Sequence, residues 1–281
     1  MSQIKSVKAF KSEVNDKDFE NAFNSSIIEY DEKGNVLTSI VYLEGGAIES
    51  KTTSVYDEKG NKIEESEYLD DNVIGEFTKY HLNEDGEILK AEKKFSEGYN
   101  SVVIFDRNKE KKSLVVTTND EDGELEERDE FTYTEKGKLL TKCIYDYNNT
   151  MVQMFDNEYN EKDQLITQTE YGKKKEFILE TQLEYDDKGN VISQISLNKK
   201  GKIAHRVFIS YDEKNRVIEQ QFGKDFIVKT LFDDEKNTQK EIRILSNGIT
   251  ESEVLSTFDS DGNLIEENDG FAITKYVYEY F

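Results

Sequence analysis

The sequence predicts an all-β chain. It reads as an antiparallel meander of about ten two-stranded repeats of 26 residues, forming a long curled or closed sheet. Three observations predict this: an aromatic-Asp-x-x-Gly-Asn unit recurs at near-constant spacing, a second series of turn residues falls midway between its copies, and the 281 residues contain no proline. Average usage would give roughly 14 prolines. Proline cannot donate to a sheet ladder, so a chain that is nearly all strand has few places for it.

The first series opens at Tyr30-Asp31-Glu32-Lys33-Gly34-Asn35. Further copies start at Tyr56, Tyr80, Phe105, Tyr133, Tyr159, Tyr185, Tyr211, Phe232 and Phe258, at spacings of 26, 24, 25, 28, 26, 26, 26, 21 and 26. The aromatic favours a strand, while Asp and Gly break it. The Asp side chain can bond the backbone two residues on, and Gly supplies the positive φ that reverses the chain. The turn-forming residues are therefore Tyr30, Asp31 and Gly34, then Tyr56, Asp57 and Gly60. Tyr185, Asp186 and Gly189 follow, then Tyr211 and Asp212, then Phe258, Asp259 and Gly262. Their expected role is structural.

Seven copies carry Leu or Ile seven residues after the aromatic: Leu37, Ile63, Leu140, Ile166, Ile192, Ile218 and Ile265. The Tyr80 turn is two residues longer and puts Leu89 in that place. The Phe105 and Phe232 copies are degenerate, with Lys112 and Gln239 there. The second series reads Gly45-Gly46, Asp70-Asp71-Asn72, Glu97-Gly98, Asp122-Gly123, Asn148-Asn149, Gly172-Lys173, Lys200-Gly201, Gly223-Lys224, Asn247-Gly248 and Asp269-Gly270. Two strands of about eight residues and two short turns fill one period. Twenty such turns imply about 21 strands. Residues 25–281 form this array.

Residues 1–24 precede it and are expected to cap the first edge strand. Ile4, Val7 and Phe10 are spaced for a helix face or a loose strand, and Asp16-Lys17-Asp18-Phe19-Glu20 could start a short helix. No signal-peptide h-region or transmembrane run is seen, so a cytoplasmic location and no membrane insertion are expected. The aromatic last strand, Tyr276 to Phe281, reads either as a packed or closing strand or as an edge open to a partner strand.

The aromatic-Asp-x-x-Gly-Asn unit resembles the YD repeats of bacterial Rhs-type proteins, over about Ser25 to Phe281. The Rhs-type unit usually has Arg after the Gly, where this chain has Asn35, Asn61, Lys138, Asn190 and Asn263. Rhs-type arrays form a β-sheet cocoon around a toxin, in far longer chains. The unit is also similar to the strand-turn repeats of MORN-like bacterial antitoxins. The resemblance implies a bacterial strand-turn protein that binds a partner. It transfers no catalytic residue.

The residues themselves give no sign of catalysis. His81 and His205 stand 124 positions apart, and the single Cys143 beside Ile144 reads as a small buried hydrophobe. One cysteine excludes an intramolecular disulfide and a Cys-rich zinc site. Asp259-Ser260-Asp261-Gly262-Asn263 hints at a calcium loop, but the sixth and twelfth positions are Leu264 and Gly270 rather than Gly and Glu. No cofactor, metal or enzymatic activity is expected. Thirty-seven basic against sixty acidic residues give a net charge of −23. Such a polyanion does not seek nucleic acid. The expected partner is a basic protein, and the leading reading is an immunity- or antitoxin-like binding module. The alternative is a carbohydrate- or envelope-associated protein that stacks sugars on Tyr and Phe.

Overall fold

A computed structural model describes residues 3–16 and 18–281, so Met1, Ser2 and Lys17 lie outside the described residues. The chain falls into two compact units. One comprises Met1–Gly86, Lys93–Tyr99 and Lys229–Phe281, the other Glu87–Glu92 and Asn100–Val228.

The described residues form 22 strands and one short 3-10 turn, Lys173–Lys175. In the first unit lie β1 (Ile4–Glu13), β2 (Phe23–Tyr30), β3 (Val36–Tyr42), β4 (Ile48–Tyr56), β5 (Lys62–Asp70) and β6 (Val73–Leu82). Strand β7 (Ile88–Phe95) crosses the division. The second unit holds β8 (Asn100–Asn108), β9 (Ser113–Asp120), β10 (Leu125–Tyr133), β11 (Leu139–Tyr145) and β12 (Met151–Tyr159). It continues with β13 (Leu165–Tyr171), β14 (Phe177–Tyr185), β15 (Val191–Asn198), β16 (Ile203–Tyr211) and β17 (Val217–Phe222). After β18 (Phe226–Asp233), the first unit is completed by β19 (Thr238–Leu245), β20 (Thr250–Phe258), β21 (Leu264–Asn268) and β22 (Ala272–Tyr280).

Within each unit, consecutive strands pair in antiparallel ladders. In the second unit the antiparallel ladder runs unbroken from β8 to β17. In the first it runs from β19 to β22, on to β1, and from β1 to β6. The turns of both series join consecutive strands, and in most of them a Gly or Asn holds a positive φ; Lys112, Asp163 and Lys174–Lys175 hold it in three others.

Of the two alternatives for the N-terminal segment, helix face and strand, the strand is formed. Ile4–Glu13 is itself a strand, paired with β2 on one side and β22 on the other. It is the strand beyond the 21 that the turns imply. Val7 stands opposite Tyr278 and Ala9 opposite Tyr276, so the small residues of β1 accept the aromatic side chains of β22. Ala9 is buried as a result. With β21 and β1 on its flanks, β22 presents no open edge. The expected helix start at Asp16 is a turn: the Asp16 carboxylate accepts Ser12 Oγ at 2.6 Å and Asn21 N at 2.8 Å.

Burial is shallow throughout. The accessible surface is 18087 Å² for 32.6 kDa, against about 12,000 Å² for a compact protein of that mass. Ala9, Ala91 and Val103 are the buried apolar residues among those described, and no large side chain is fully buried. Hydrophobic stabilisation is thus spread over many half-covered side chains, and the hydrogen-bonded ladder and turns carry an unusual share of the order.

Candidate functional site

The turns of the first series share one construction. In Asp31, Asp57, Asp186 and Asp259, one carboxylate oxygen accepts the backbone N–H two and four residues on. The other oxygen accepts the side-chain amide of Asn35, Asn61, Asn190 or Asn263 at 2.8–3.0 Å. At Asp212 the guanidinium of Arg216 replaces the amide, at 2.8 Å from its Nε. Gly34, Gly60, Gly189 and Gly262 hold φ between 84° and 91°, and Asn215 fills the same place at 67°. Hydrogen bonding to the charged form holds these aspartates below their ordinary range, led by the Asn side chain at Asp31, Asp57, Asp186 and Asp259. At Asp212 the backbone N–H of Arg216 leads.

The Leu and Ile seven residues after the aromatic have a specific place. Tyr30 pairs with Val36 while Glu29 pairs with Thr38, which leaves Leu37 as an extra residue in a β-bulge. Ile63, Leu140, Ile166, Ile192, Ile218 and Ile265 are the extra residues of six more. A bulge interrupts the ladder and needs another hydrogen-bond partner. Tyrosine supplies it. Tyr56, Tyr159, Tyr185 and Tyr211 donate from Oη to the carbonyls of Val36, Leu139, Leu165 and Val191, at 3.1, 2.7, 2.6 and 2.9 Å. Tyr278 reaches Leu264 in the same way at 2.8 Å. Each acceptor immediately precedes a bulge residue. Tyr80 instead donates to Glu65 Oε2 at 3.1 Å; burial, then that carboxylate, push its hydroxyl up to about 12.

Adjacent turns are also tied side to side. Asn190 and Asn215 exchange amide hydrogen bonds at 2.5 and 3.0 Å. Lys59 Nζ donates to the Glu84 carbonyl at 2.9 Å, and Lys136 pairs with Asp163 at 2.6 Å.

The two faces of the sheet differ. Strand side chains alternate, so residues two apart share a face. Val103, two before Phe105, is 9 % exposed, while Ile104 between them is 44 % exposed. Thr230 is 9 % and Leu231 55 % exposed, just before Phe232. Val55, Phe208, Leu255 and Val277 are likewise exposed and lie opposite the aromatic of their strand. The first-series aromatics are themselves half-buried. The exposed rings Tyr99, Tyr147 and Phe271 sit in the second-series turns.

The Phe105 copy departs from this plan. Asn108 Oδ1 accepts the Lys111 N–H at 2.8 Å, Lys112 turns at φ 50°, and β8 pairs with β9 without a register shift. No bulge forms, and Lys112 stands where other copies have Leu or Ile. A cavity of about 360 Å³ opens there, lined by Glu87, Arg107, Asn108, Lys109, Lys112, Ser113, Leu114, Tyr133, Thr134, Glu135 and Gly137. The Arg107 guanidinium donates to the Ile88 carbonyl and lies 5.5 Å from the Phe105 ring. Lys112 forms an ion pair with Glu135, whose side chain is 91 % exposed. Sequence reading marked this copy as degenerate through Lys112, but nothing in the spacing signalled a cavity.

His81 lies in β6 and His205 in β16, both exposed. Cys143 is half-buried in β11, opposite Glu130 and Met154; burial, then Glu130, raise its thiol. Among the described residues no three His, Cys, Asp or Glu are grouped to hold a metal ion. No helix is long and apolar enough to cross a membrane.

No protein-family model matches the chain, and no curated protein sequence matches it. Among solved structures it is similar to the crystal structure of TcdB2-TccC3-Cdc42, with TM-score 0.42 and 12 % identity over 88 % of this chain and 15 % of that one. The chain therefore spans 15 % of the length of that protein. It is also similar to a porin-like protein from Bacteroides uniformis ATCC 8492, with TM-score 0.36 and 10 % identity over 99 % of this chain and 98 % of the other. The Dos1 propeller matches with TM-score 0.27 and 10 % identity, over 98 % of this chain and 93 % of that one. At scores of 0.42 or lower these likenesses assign the chain neither a family nor a function.

Proposed function

We propose that the chain is a non-enzymatic protein-binding module built of about ten two-stranded strand-turn repeats. In this reading its acidic surface docks a basic protein, as an immunity or antitoxin protein covers a toxin or effector. The observation that carries the reading is the net charge of the first unit, together with the apolar side chains it exposes. That unit has 16 basic against 32 acidic residues, a net −16. On the face opposite its aromatics, exposed Val55, Leu255 and Val277 stand beside Glu64, Glu253 and Glu279. Lys240 stands opposite Leu255 and Lys8 opposite Val277, paired with Glu253 and Glu279, so the negative charge is a property of the unit as a whole. Exposed apolar anchors on a unit of net negative charge suit a partner of the opposite sign: the charge steers the encounter and the apolar contacts hold the complex. The recurring aspartate brackets support the repeat reading and the kinship with YD-type and MORN-like strand-turn units.

The test uses the full chain as bait in lysate from its own cells at low salt, with Val55→Asn/Leu255→Asn as a matched bait. The expected result is a basic protein that elutes with salt and is retained at least about tenfold less by the variant. Equal retention by the two baits, or an eluate without a basic protein, would sink the reading. A second reading, a carbohydrate ligand, is favoured by exposed Tyr99, whose ring stacks on Phe95 at 4.3 Å, and by exposed Tyr147 and Phe271. A glycan array with the parent chain and Tyr99→Ala separates the two readings: sugar binding lost in the variant supports this one.

A further inference from the structure

We propose that the cavity at the β8–β9 turn is a phosphate-binding site. It stands apart from the protein-docking reading and concerns the second unit alone. Residues 107–112 carry four basic side chains and one acidic, whereas a regular turn such as Asp31-Glu32-Lys33-Gly34-Asn35 carries two acidic and one basic. In a chain of net −23, anions are repelled from most of the surface, so local cations around a concavity mark where one can be held.

The donor set fits phosphate rather than a lone carboxylate. Arg107, Lys109 and Lys112 bring three positive charges to one cavity against the two carboxylates of Glu87 and Glu135, and the hydroxyls of Ser113 and Thr134 line it too. Several charge-assisted and hydroxyl donors around one concavity match the three acceptor oxygens of a phosphate group. Arg107 is held in place by the Ile88 carbonyl and the Phe105 ring, so part of its ordering is complete before a ligand arrives. The ion pair of Lys112 with Glu135 is no barrier. Glu135 is 91 % exposed, and a solvent-screened pair yields readily to a multiply charged ligand. The turn differs from the regular ones in two ways that meet at the cavity: it forms no bulge, and Lys112 holds the left-handed position that glycine holds elsewhere.

The experiment is calorimetric titration of the full chain with inorganic phosphate at fixed ionic strength. The site variant is Lys109→Gln/Lys112→Asn; Asn tolerates the left-handed backbone at 112, so the turn is kept. The control, Lys200→Gln/Lys202→Gln, removes the same charge from the β15–β16 turn of the same unit. Thermal unfolding checks that both variants fold. The expected result is a saturable single site in the parent, weakened at least about tenfold in the site variant and less than about twofold in the control. Citrate at matched ionic strength binds at least about tenfold more weakly than phosphate. Glycerol phosphate tells the source: binding as tight as phosphate points to a phosphorylated ligand, weaker binding to the free ion. Absence of saturation overturns the proposal, as does equal weakening by both variants. Citrate binding as tightly as phosphate overturns the assignment to phosphate.

Discussion

The turn at Asp186–Asn190 and the turn at Asn108–Lys112 reverse the chain for the same purpose and do it differently. The first fixes five residues with one carboxylate, passes through Gly189 at φ 91°, inserts Ile192 as a bulge, and has the preceding carbonyl of Val191 taken by Tyr211. The second uses one Asn side chain, passes through Lys112 at φ 50°, and joins strands in straight register. In the first, both carboxylate oxygens of Asp186 and the amide of Asn190 are consumed within the turn. In the second, Arg107 and Lys112 are held by the Ile88 carbonyl and by Glu135 beside a cavity that they line. The regular turn uses its side chains to close itself, whereas the irregular one brings cationic side chains to a concavity.

The comparison breaks most visibly at the glycine. Gly189→Val forces a β-branched residue into the left-handed region, with Gln164 Nε2 3.2 Å from the new Cβ. Urea unfolding should show a loss of about 2 kcal/mol. Lys112→Gly, relieving the same conformational demand at the other turn, should change stability by less than about 1 kcal/mol. Next comes the bracket. Asp186→Ala removes the acceptor of three hydrogen bonds and should lower the urea midpoint, whereas exposed Glu110→Ala should leave it nearly unchanged. Smaller again is the bridge. Tyr185→Phe strands the Leu165 carbonyl and should cost about 1 kcal/mol, while Tyr30→Phe, which loses no such bond, stays within about 0.5 kcal/mol.

The subtlest contrast is in pH. Asp186 is depressed in the folded chain, so the unfolded chain takes up its proton first on acidification. Its contribution is complete above the ordinary aspartate value of about 3.9 and is lost as pH falls through the lower folded value. Asn160 makes the same backbone bonds without a charge. Asp186→Asn should therefore keep the turn and flatten the fall in melting temperature below about pH 4, read as the difference from the parent, since acidification also relieves the repulsion of a −23 chain. An unchanged slope would show that the carboxylate is not held as the geometry implies.

Much of the architecture was legible because turn chemistry is local. Asp, Gly and Asn at fixed offsets specify a reversal without reference to the rest of the chain, and both turn series fall where their residues put them. The spacing of Leu37 and its counterparts was legible too. Their role as bulge residues was not, since register depends on the partner strand. The hydroxyl of Tyr185 looked like one more strand aromatic, because its acceptor lies 20 residues upstream. The choice between helix and strand at β1 was not legible for a related reason. Ile4, Val7 and Phe10 suit a helix face as well as a strand, and the decision belongs to Tyr276 and Tyr278 at the far end of the sequence. At the β8–β9 turn, Lys112 announced a departure, but cavities are products of packing and carry no spacing rule.

The meeting of β1 and β22 has a kinetic side. Elsewhere a strand finds its partner across a short turn, and such hairpins close in about 1–10 μs. Ser6 and Glu279 are 273 residues apart, and loop-closure entropy rises with that separation. Bringing the two strands together is then a late step, governed by chain length rather than by local turn formation. Phe281 N donates to the Gln3 carbonyl at 3.1 Å, so these two residues stand side by side. If they were joined and the chain opened at an exposed turn such as Gly137, the same contacts would remain. The slow pairing would pass from β1 and β22 to the two strands flanking the new break.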